Sequence, residues 1–371
     1  MKLVYVFRSL AVFGGIERIL VDKMNWLVAH GYEVSMITAD QGQHPLAYPM
    51  DSRIRFTDLN ICYHHQYRYK GIRRLIDLWQ RRRRFARLLK EQLKAERPDV
   101  IVCTTANYVD ILTRLKGNTP LIVESHSLYS RLIDTGRFRL IRRWWKQQSL
   151  QKAQVLVALT DEDAAAWRQC LPHVETIPNM VHVPEHLPQA ALTNRRVIFA
   201  GRFAEQKQLN HLLIIWQKVH LQHPDWTLAV YGDGEQRDWF MGEVKRLNAG
   251  IEVFPPTADI FKCYAESSVL MLTSVFEPFG LVMPEAMLCG VPVVAYDCPF
   301  GPRSIITDGE DGFLVRPQDT DAFAQRLCQL IVDEGLRQRM GKQARESARR
   351  FEVSHVMPLW ERLFQQIIRN N

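Results

Sequence analysis

The chain lacks several features that would assign it to common classes of protein. None of its seven cysteines forms a C-x-x-C pair, and their spacing is irregular. Isolated thiols of this kind are typical of a reducing cytosol and argue against both a disulfide framework and a zinc site. The sequence also contains no G-x-G-x-x-G motif, which counts against a nicotinamide-dependent enzyme.

Long hydrophobic runs are missing as well. No window reaches the roughly eighteen uncharged apolar residues that a membrane-spanning helix needs. The N-terminus starts directly on a predicted strand, so we expect no signal peptide. Together these absences predict a cytoplasmic protein.

The charge is unevenly distributed along the 371 residues. Residues 1–185 hold 28 Lys and Arg against 18 Asp and Glu, whereas residues 186–371 hold 20 against 22. An asymmetry of this size predicts an anionic partner for the first half. The candidates are a membrane surface, an anionic glycolipid and nucleic acid.

Short apolar runs alternate with helix-length amphipathic segments. Continuous apolar runs are typical of parallel strands covered on both faces, so the pattern predicts an α/β protein with two doubly wound domains. A segment with three prolines, residues 178–188, marks the boundary between them. The predicted strands are 3–7, 33–38, 99–103, 120–124, 154–159, 174–177, 196–200, 226–231, 251–254, 269–273, 292–296 and 313–315.

The most informative segment runs from Glu277 to Glu285, directly after the apolar run 269–272. Carboxylates are costly to bury without partners. Two of them at the carboxyl end of a parallel strand, where α/β folds bind ligands, indicate recognition of hydroxyl groups. Backbone N–H groups around Phe279–Leu281 and at the start of the next helix would bind an anion. A nucleotide sugar has both chemical features.

This segment, with Phe279-Gly280-Leu281 between its two glutamates, resembles that of the family 4 retaining glycosyltransferases. Three further motifs support the resemblance: Gly14-Gly15, the loop from Gly201-Arg202 to Lys207, and Tyr231-Gly232-Asp233-Gly234. The resemblance implies the GT-B fold, with two Rossmann-like domains facing a cleft. Residues 1–180 would bind the acceptor and residues 190–352 the nucleotide sugar, and a final helix, 353–371, would cross back onto the N-terminal domain.

The cations of the Gly201 loop are candidates for binding a diphosphate. Arg202 and Lys207 are five positions apart and can converge on one anion, where fixed positive charge stabilises a departing diphosphate. Two solvated loop charges are the alternative. The family usually has glycine after this lysine, and here the residue is Gln208.

The resemblance also implies roles for the remaining site residues. Glu285 would bind the ribose of the donor and Glu277 the hydroxyls of its sugar. His126 follows predicted strand 120–124, and the family places a histidine there, facing the sugar; a structural histidine is the alternative. The backbone groups that would bind the donor belong to Gly14, Gly15, Gly201, Phe279, Gly280 and Leu281.

Two further segments depart from the family pattern. In Gly301-Pro302-Arg303-Ser304, the serine replaces the usual glutamate, and the segment is interpreted as packing or loop structure. Phe254 is followed by Pro255-Pro256 near the position where the base would be read. The base of the donor is therefore left open, with UDP favoured because it is commonest among such relatives.

A metal site is not predicted. Asp161-Glu162-Asp163 has the form Asp-x-Asp, the manganese motif of a different glycosyltransferase fold. Here it follows Thr160 at the end of a predicted strand and is typical of an N-cap and an acidic first helical turn. We expect neither a metal nor another cofactor.

A strongly basic helix is predicted over residues 71–97, including the run Arg81–Arg84. A basic amphipathic helix with aromatic residues can lie on an anionic bilayer, so residues 68–97 are a candidate for peripheral membrane contact. A solvated charged face on a core-packed helix is the alternative.

The sequence thus predicts a retaining glycosyltransferase that moves a hexose or N-acetylhexosamine from a nucleotide donor to a hydroxyl of a glycan or glycolipid. The expected setting is bacterial surface polysaccharide or lipopolysaccharide synthesis. Rival interpretations are an epimerase-type or phosphorylase-type GT-B enzyme, and a basic protein that binds nucleic acid or membrane. No helix-turn-helix or aromatic readout element for nucleic acid is found in the sequence, so nucleic acid is not predicted as a partner.

Overall fold

The structure is a computed structural model that describes residues 1–104, 106–126 and 139–370. It divides into two compact units, one comprising Met1–Pro178 with Met357–Asn371 and the other Asn179–Val356. Residues 105 and 127–138 of the predicted N-terminal domain, and the last residue of the final helix segment, lie outside the described part of the chain.

The first unit contains a sheet of seven described strands in the order β3-β2-β1-β4-β5-β6-β7, with every neighbouring pair parallel. Its strands are β1 (Lys2–Phe7), β2 (Glu33–Thr38), β3 (Arg55–Asp58), β4 (Val100–Cys103), β5 (Leu121–Glu124), β6 (Val155–Ala158) and β7 (Val174–Thr176). Its helices are α1 (Gly15–Ala29), α2 (Gly71–Glu96), α3 (Ala106–Leu115), α4 (Arg139–Leu150) and α5 (Asp161–Arg168).

The second unit has a sheet of six described strands in the order β10-β9-β8-β11-β12-β13, again all parallel. Its strands are β8 (Arg196–Ala200), β9 (Thr227–Tyr231), β10 (Ile251–Phe254), β11 (Val269–Leu272), β12 (Val293–Tyr296) and β13 (Gly312–Val315). The helices from here to the C-terminus are α6 (Leu209–Gln222), α7 (Arg237–Leu247), α8 (Ile260–Ala265), α9 (Val282–Leu288), α10 (Gly301–Ile305), α11 (Thr320–Val332), α12 (Glu334–Ala348) and α13 (Val353–Arg369).

Both sheets reverse their strand order at one point, between β1 and β4 in the first unit and between β8 and β11 in the second. Loops that leave the carboxyl ends of two such strands diverge and leave room for a ligand. The sequence prediction of two doubly wound α/β domains is confirmed. Each predicted strand is present with its ends within one residue of the prediction.

Strand β3 was not predicted. Its sequence, Arg-Phe-Thr-Asp, has no apolar run, because it lies at the edge of the sheet and its side chains are exposed or half-buried. Hydrophobic patterning detects strands that are covered on both faces and misses an edge strand of this kind.

Helix α2 changes character along its length. Its C-terminal half buries Phe85, Leu89 and Leu93 against the sheet. Its N-terminal half leaves four apolar side chains exposed at helical spacing: Ile72, Leu75, Ile76 and Trp79. Among the described residues, no helix has both the length and the apolar character to cross a bilayer.

Helix α13 carries an apolar stripe that packs within the first unit. The indole of Trp360 lies 3.9 Å from the Lys23 ammonium, and Phe364 packs at a centroid distance of 6.2 Å from Tyr32. The Tyr32 hydroxyl also donates to Glu361 at 3.3 Å. These contacts join the last helix to α1 and to the segment that follows it.

Candidate functional site

Two loops meet at the switch point of the second sheet. One follows β8 and contains Gly201–Lys207, and the other follows β11 and contains residues 273–281. Two hydrogen bonds join them: the Val275 N–H donates to the Gln206 carbonyl at 2.8 Å, and the Gln206 side-chain amide donates to the Phe276 carbonyl at 2.8 Å. The loops therefore form one fixed surface at the end of the sheet.

Lys207 ends a short 3-10 turn, Glu205–Lys207, and reaches back across the loop. A Cβ at Gly201 would lie 3.2 Å from Lys207 Cε, so the stem of the lysine passes closely over this glycine. Lys207 Nζ lies 2.5 Å from Glu277 Oε1, and the Thr273 hydroxyl donates to the Lys207 carbonyl at 2.7 Å. The site thus holds a mostly buried ammonium at the switch point.

Glu277 is only 4% exposed, so it is not a surface turn residue. Its Oε1 accepts hydrogen bonds from Lys207 Nζ and, at 2.6 Å, from the Ser274 hydroxyl. A buried carboxylate is tolerated when it is paired and hydrogen-bonded in this way. The carboxylate is held in one orientation by these two donors.

The turn that follows Glu277 depends on two glycines. Gly280 has φ +89°, which favours glycine, and a Cβ there would lie 2.6 Å from Met283 Cε. Gly301 donates its N–H to the Glu277 carbonyl at 2.8 Å, and a Cβ on Gly301 would lie 2.2 Å from the Phe279 carbonyl oxygen. The Gly301-Pro302 segment therefore packs against the turn, as interpreted from the sequence.

Glu285 lies on α9, which begins at Val282 and contains Pro284. The proline falls in the first helical turn, where its missing N–H has no intrahelical partner to lose. Glu285 is buried, and the Tyr264 hydroxyl donates to its Oε2 at 3.1 Å. Burial of a second carboxylate close in sequence to Glu277 is unusual for a purely structural turn.

Arg202 is placed differently from Lys207. Its side chain is 74% exposed and lies 3.3 Å from Glu235, so the two cations contact different carboxylates in this structure. The neighbouring Phe203 anchors the loop, because its ring is fully buried and its N–H donates to the Asp233 carbonyl at 2.8 Å. Arg202 therefore combines a fixed backbone with a long, solvated side chain.

The Tyr231-Gly232-Asp233-Gly234 motif packs closely against this loop. A Cβ on Gly232 would lie 2.0 Å from the Gly201 carbonyl oxygen, and one on Gly234 would lie 2.5 Å from the Phe203 carbonyl oxygen. Side chains at these two positions would push the Arg202 loop away. Phe254, at the end of β10, stacks on Tyr231 with ring centroids 4.8 Å apart.

In the first unit, Gly14 is the N-cap of α1 and Gly15 is its first residue. The Gly14 N–H donates to the Val12 carbonyl at 2.9 Å. A Cβ on Gly14 would lie 2.3 Å from Glu17 Oε2, so the acidic side chain of the first turn folds over this glycine.

His126 follows β5 and is buried. Its Nε2 lies 3.1 Å from Glu124 Oε2, and Glu124 Oε1 accepts a hydrogen bond from the buried Lys23 of α1. Sequence reasoning named His126 but missed Glu124 and Lys23. A signal was available in the position of Lys23, which lies on the apolar face of α1 between Leu20 and Leu27.

The Asp161–Asp163 run forms the first turn of α5 behind an N-cap at Thr160, as the sequence predicts. The Thr160 hydroxyl accepts from the Asp163 N–H at 3.2 Å, and the Asp163 carboxylate accepts from Trp167 Nε1 at 3.0 Å. Across residues 1–104, 106–126 and 139–370, no group of three His, Cys, Asp or Glu side chains is placed to hold a metal ion.

Comparison with family models matches both halves of the chain. Residues 13–184 match the model described as Glycosyltransferase Family 4, and residues 187–347 match the model described as Glycosyl transferases group 1.

Full-length relatives are found among bacterial glycosyltransferases. The chain is 26% identical over 369 residues to the amylovoran biosynthesis glycosyltransferase AmsD of Erwinia amylovora, covering 97% of this chain and 98% of AmsD. It is 25% identical over 374 residues to an undecaprenol-linked-glycan alpha-1,4-N-acetyl-D-galactosaminyltransferase of Campylobacter jejuni, covering 99% of both chains. It is also 30% identical over 262 residues to an exopolysaccharide phosphotransferase of Streptomyces coelicolor, but these cover 69% of this chain and only 25% of that protein.

Solved structures share the fold over almost the whole chain. TarM of S. aureus, solved with UDP, Fondaparinux and alpha-GlcNAc-glycerol, superposes with a TM-score of 0.78 at 16% identity, covering 98% of this chain and 99% of TarM. HepE of Anabaena, solved with UDP and glucose, gives a TM-score of 0.76 at 18% identity, covering 98% and 99%. With the matching family models and relatives, these likenesses show that the chain belongs to the family 4 glycosyltransferases and has their GT-B fold.

Proposed function

We propose that this glycosyltransferase transfers a hexose or N-acetylhexosamine from a UDP-sugar, with retention of anomeric configuration. The acceptor would be a hydroxyl of a glycan or lipid-linked glycan in bacterial surface polysaccharide or lipopolysaccharide synthesis. The observation that carries the proposal is the buried Lys207–Glu277 pair at the switch point of the second sheet. TarM and HepE, which share the fold, have each been solved with UDP and support the choice of base.

Lys207 would bind the donor diphosphate. Negative charge grows on the diphosphate as its bond to the sugar breaks, so a fixed ammonium stabilises the transition state more than the ground state. Arg202 would join it on binding. Its exposed ion pair with Glu235 contributes little stability, so the guanidinium can turn toward a diphosphate at small cost.

The two buried glutamates would bind hydroxyl groups. Glu277 accepts from Lys207 and Ser274 on one oxygen, Oε1. An ionised carboxylate has about four lone-pair sites, so Glu277 can accept from sugar hydroxyls while it keeps these bonds. By the same argument, Glu285 can accept from ribose hydroxyls while it remains bonded to Tyr264.

The backbone of Gly201 and of Phe279–Leu281 would approach the donor phosphates in the second unit. In the first unit, Gly14 and Gly15 would do so at the start of α1, and His126 would contact the donor sugar. The acceptor hydroxyl would attack from the face that the diphosphate leaves, and a departing diphosphate oxygen would accept its proton. Positive charge at the diphosphate would come from Lys207 and Arg202.

We further propose that residues 68–97 contact an anionic membrane surface. The exposed stripe formed by Ile72, Leu75, Ile76 and Trp79 supports this, because exposed arginines lie on the same helix and the stripe is not covered by the sheet. Of the Arg81–Arg84 run, Arg81 and Arg82 bond to Asp77 and Asp110, respectively. The arginines available to lipid phosphates are therefore those nearer the N-terminus of α2 and the exposed pair Arg83 and Arg84.

Thermal melting with UDP, GDP, ADP and TDP and with their common sugar derivatives tests the donor site. A ligand that binds the folded chain at 100 times its Kd stabilises it by about 2.7 kcal/mol. We expect UDP to raise the Tm of the native chain and to have little effect on Glu285→Ala or Lys207→Ala. Lys218→Ala is the matched control, since Lys218 pairs with Asp321 on the surface of the same unit.

Two outcomes of this experiment would contradict the proposal or part of it. If no nucleotide at millimolar concentration shifts the Tm of the native chain, the second unit does not bind a nucleotide sugar. If UDP still raises the Tm of both variants, the chain binds the nucleotide but Lys207 and Glu285 do not contact it.

A further inference from the structure

Three ionisable side chains form a buried row in the first unit. Lys23 donates to Glu124 Oε1, and the other oxygen of Glu124, Oε2, lies 3.1 Å from His126 Nε2. The relative exposures of Lys23, Glu124 and His126 are 1%, 3% and 9%, respectively. A hydrogen-bonded chain thus runs from α1, through the end of β5, to the histidine that follows it.

Aromatic rings cover the charged end of this row. Lys23 Nζ lies 3.9 Å from the Trp360 ring centroid and 5.6 Å from that of Tyr5. Burial lowers the pKa of Lys23 from its ordinary value, although Glu124 opposes the shift. Burial alone would raise the pKa of Glu124, but the Lys23 ammonium and His126 outweigh it and lower that pKa. Glu124 is therefore a carboxylate.

An ion pair that only joined α1 to the sheet would explain Lys23 and one oxygen of Glu124. It would not require the second oxygen to bond a histidine. Because an ionised carboxylate only accepts hydrogen bonds, His126 must carry a proton on Nε2. In the neutral ring, Nδ1 is then the acceptor, and the carboxylate fixes both the tautomer and the direction of the ring.

We infer that Glu124 is a positioning residue for His126, that Lys23 keeps Glu124 ionised, and that the tautomer so fixed lets His126 Nδ1 accept a hydrogen bond from a hydroxyl of the donor sugar. The last clause rests on the proposed function. The first two concern the protein without substrate, so they can be tested separately.

Glu124→Gln is the decisive variant. Its amide has one accepting oxygen, which the Lys23 ammonium will hold, so the amide NH2 will face His126 Nε2. Two donors cannot face each other, and the ring proton must therefore move to Nδ1. Nitrogen-15 NMR of protein labelled at histidine measures the tautomer directly. The signal of His126 is assigned as the one that is absent from the spectrum of the His126→Gln variant.

The double variant Lys23→Met/Glu124→Gln removes the ammonium. The amide introduced at position 124 can then rotate, its oxygen can accept from Nε2–H, and the original tautomer should return. We expect Nε2–H in the native chain, Nδ1–H in Glu124→Gln and Nε2–H again in the double variant. If all three share one tautomer, the positioning role is wrong. If Glu124→Gln fails to fold, the native chain still decides the question, because Nδ1–H there would contradict a hydrogen bond from Nε2–H to the carboxylate.

Calorimetric titrations with UDP, UDP-glucose, UDP-galactose, UDP-N-acetylglucosamine and UDP-N-acetylgalactosamine test the link to the sugar. Loss of one hydrogen bond should weaken the preferred UDP-sugar about tenfold in Glu124→Gln and leave UDP unchanged. The double variant should recover most of that loss. Glu361→Gln, which alters another glutamate of the first unit, is the matched control and should change neither affinity.

The outcomes separate the two proposals. If the native chain binds none of these nucleotides, the proposed function fails, and so does the sugar contact, while the NMR result still decides whether Glu124 sets the tautomer. If the native chain binds a UDP-sugar and the tautomer changes without any change in affinity for it, the proposed function stands and the sugar contact of His126 is wrong.

Discussion

Lys207 Nζ lies 2.5 Å from Glu277 Oε1, although the two residues are 70 positions apart in the sequence. Each belongs to a loop that leaves a strand at the switch point of the second sheet. The ammonium and the carboxylate neutralise each other without a ligand present. The positive charge of Lys207 is therefore already balanced by Glu277 before the donor binds. A diphosphate that binds there would share the ammonium with Glu277.

Lys207→Ala should therefore lower kcat/KM for sugar transfer by about 100- to 1000-fold, the usual cost of removing one group that stabilises a developing anion. Initial rates with the UDP-sugar selected by thermal melting measure it. Lys218→Ala should retain the native rate. Equal rates for the native chain and Lys207→Ala would show that this ammonium does not act on the diphosphate.

Glu285→Gln should weaken UDP binding by about tenfold, because a neutral amide makes weaker hydrogen bonds to hydroxyls than a carboxylate does. The amide oxygen can still accept from Tyr264, so the fold should be kept. Isothermal titration with UDP and with uridine measures the change. An unaltered affinity for both would place the ribose elsewhere. Glu266→Gln, a change at an exposed glutamate of the same unit, is the control.

Gly232→Ala and Gly242→Ala should change stability in opposite directions. A Cβ on Gly232 would overlap the Gly201 carbonyl, whereas Gly242, inside α7, has open space around its Cβ position. We expect a loss of about 1–3 kcal/mol for Gly232→Ala from overpacking. We expect a gain of about 0.5–1 kcal/mol for Gly242→Ala from helix propensity. Urea unfolding midpoints measure both changes. A Gly232→Ala variant as stable as the native chain would contradict the close packing of Gly232 against the loop that contains Arg202.

Leu75→Glu/Trp79→Glu should reduce binding to vesicles that contain phosphatidylglycerol by at least about tenfold, since burying each apolar side chain contributes roughly 1.5–3 kcal/mol. Co-sedimentation at two salt concentrations measures it. Leu221→Glu introduces the same chemistry at an exposed site of the second unit and should leave binding intact. If native protein does not sediment with these vesicles, the stripe on α2 is not a membrane contact.

The acid stability of the chain should depend on Glu124, whose ionisable neighbours are Lys23, His126 and Tyr5. Its pKa in the folded state is lowered, so its contribution to stability is complete above about pH 4.3, the unfolded value, and is lost as the pH falls through the folded pKa. The stability gap between native chain and Glu124→Gln should therefore shrink on acidification. Urea midpoints between neutral pH and about pH 3 measure this loss; a constant gap would contradict it.

Much of the fold could be predicted because its strands are covered on both faces and leave continuous apolar runs in the sequence. The exposed edge strand β3 leaves no such run and was missed. The switch-point loops could be located from Gly201 and Glu277, because each follows a predicted strand. The sequence could not predict which side chains within these loops bond to one another.

Lys23 shows why the rest was inaccessible. Its partner Glu124 is 101 positions away, and no local pattern couples a helix position to a particular strand end. The separation of Arg202 from Lys207 has a similar cause. Five positions of spacing allow two cations to converge, but the competing carboxylates Glu235 and Glu277 come from other parts of the chain.

The position of Trp360 makes the first unit a discontinuous domain. A gene fragment ending at Pro178 would encode every strand of its sheet but leave the Lys23 ammonium without its indole cover. Water could then enter beside Lys23 and loosen its hold on Glu124. A faithful version of this unit for separate study would need the last helix fused back by a linker or supplied as a peptide.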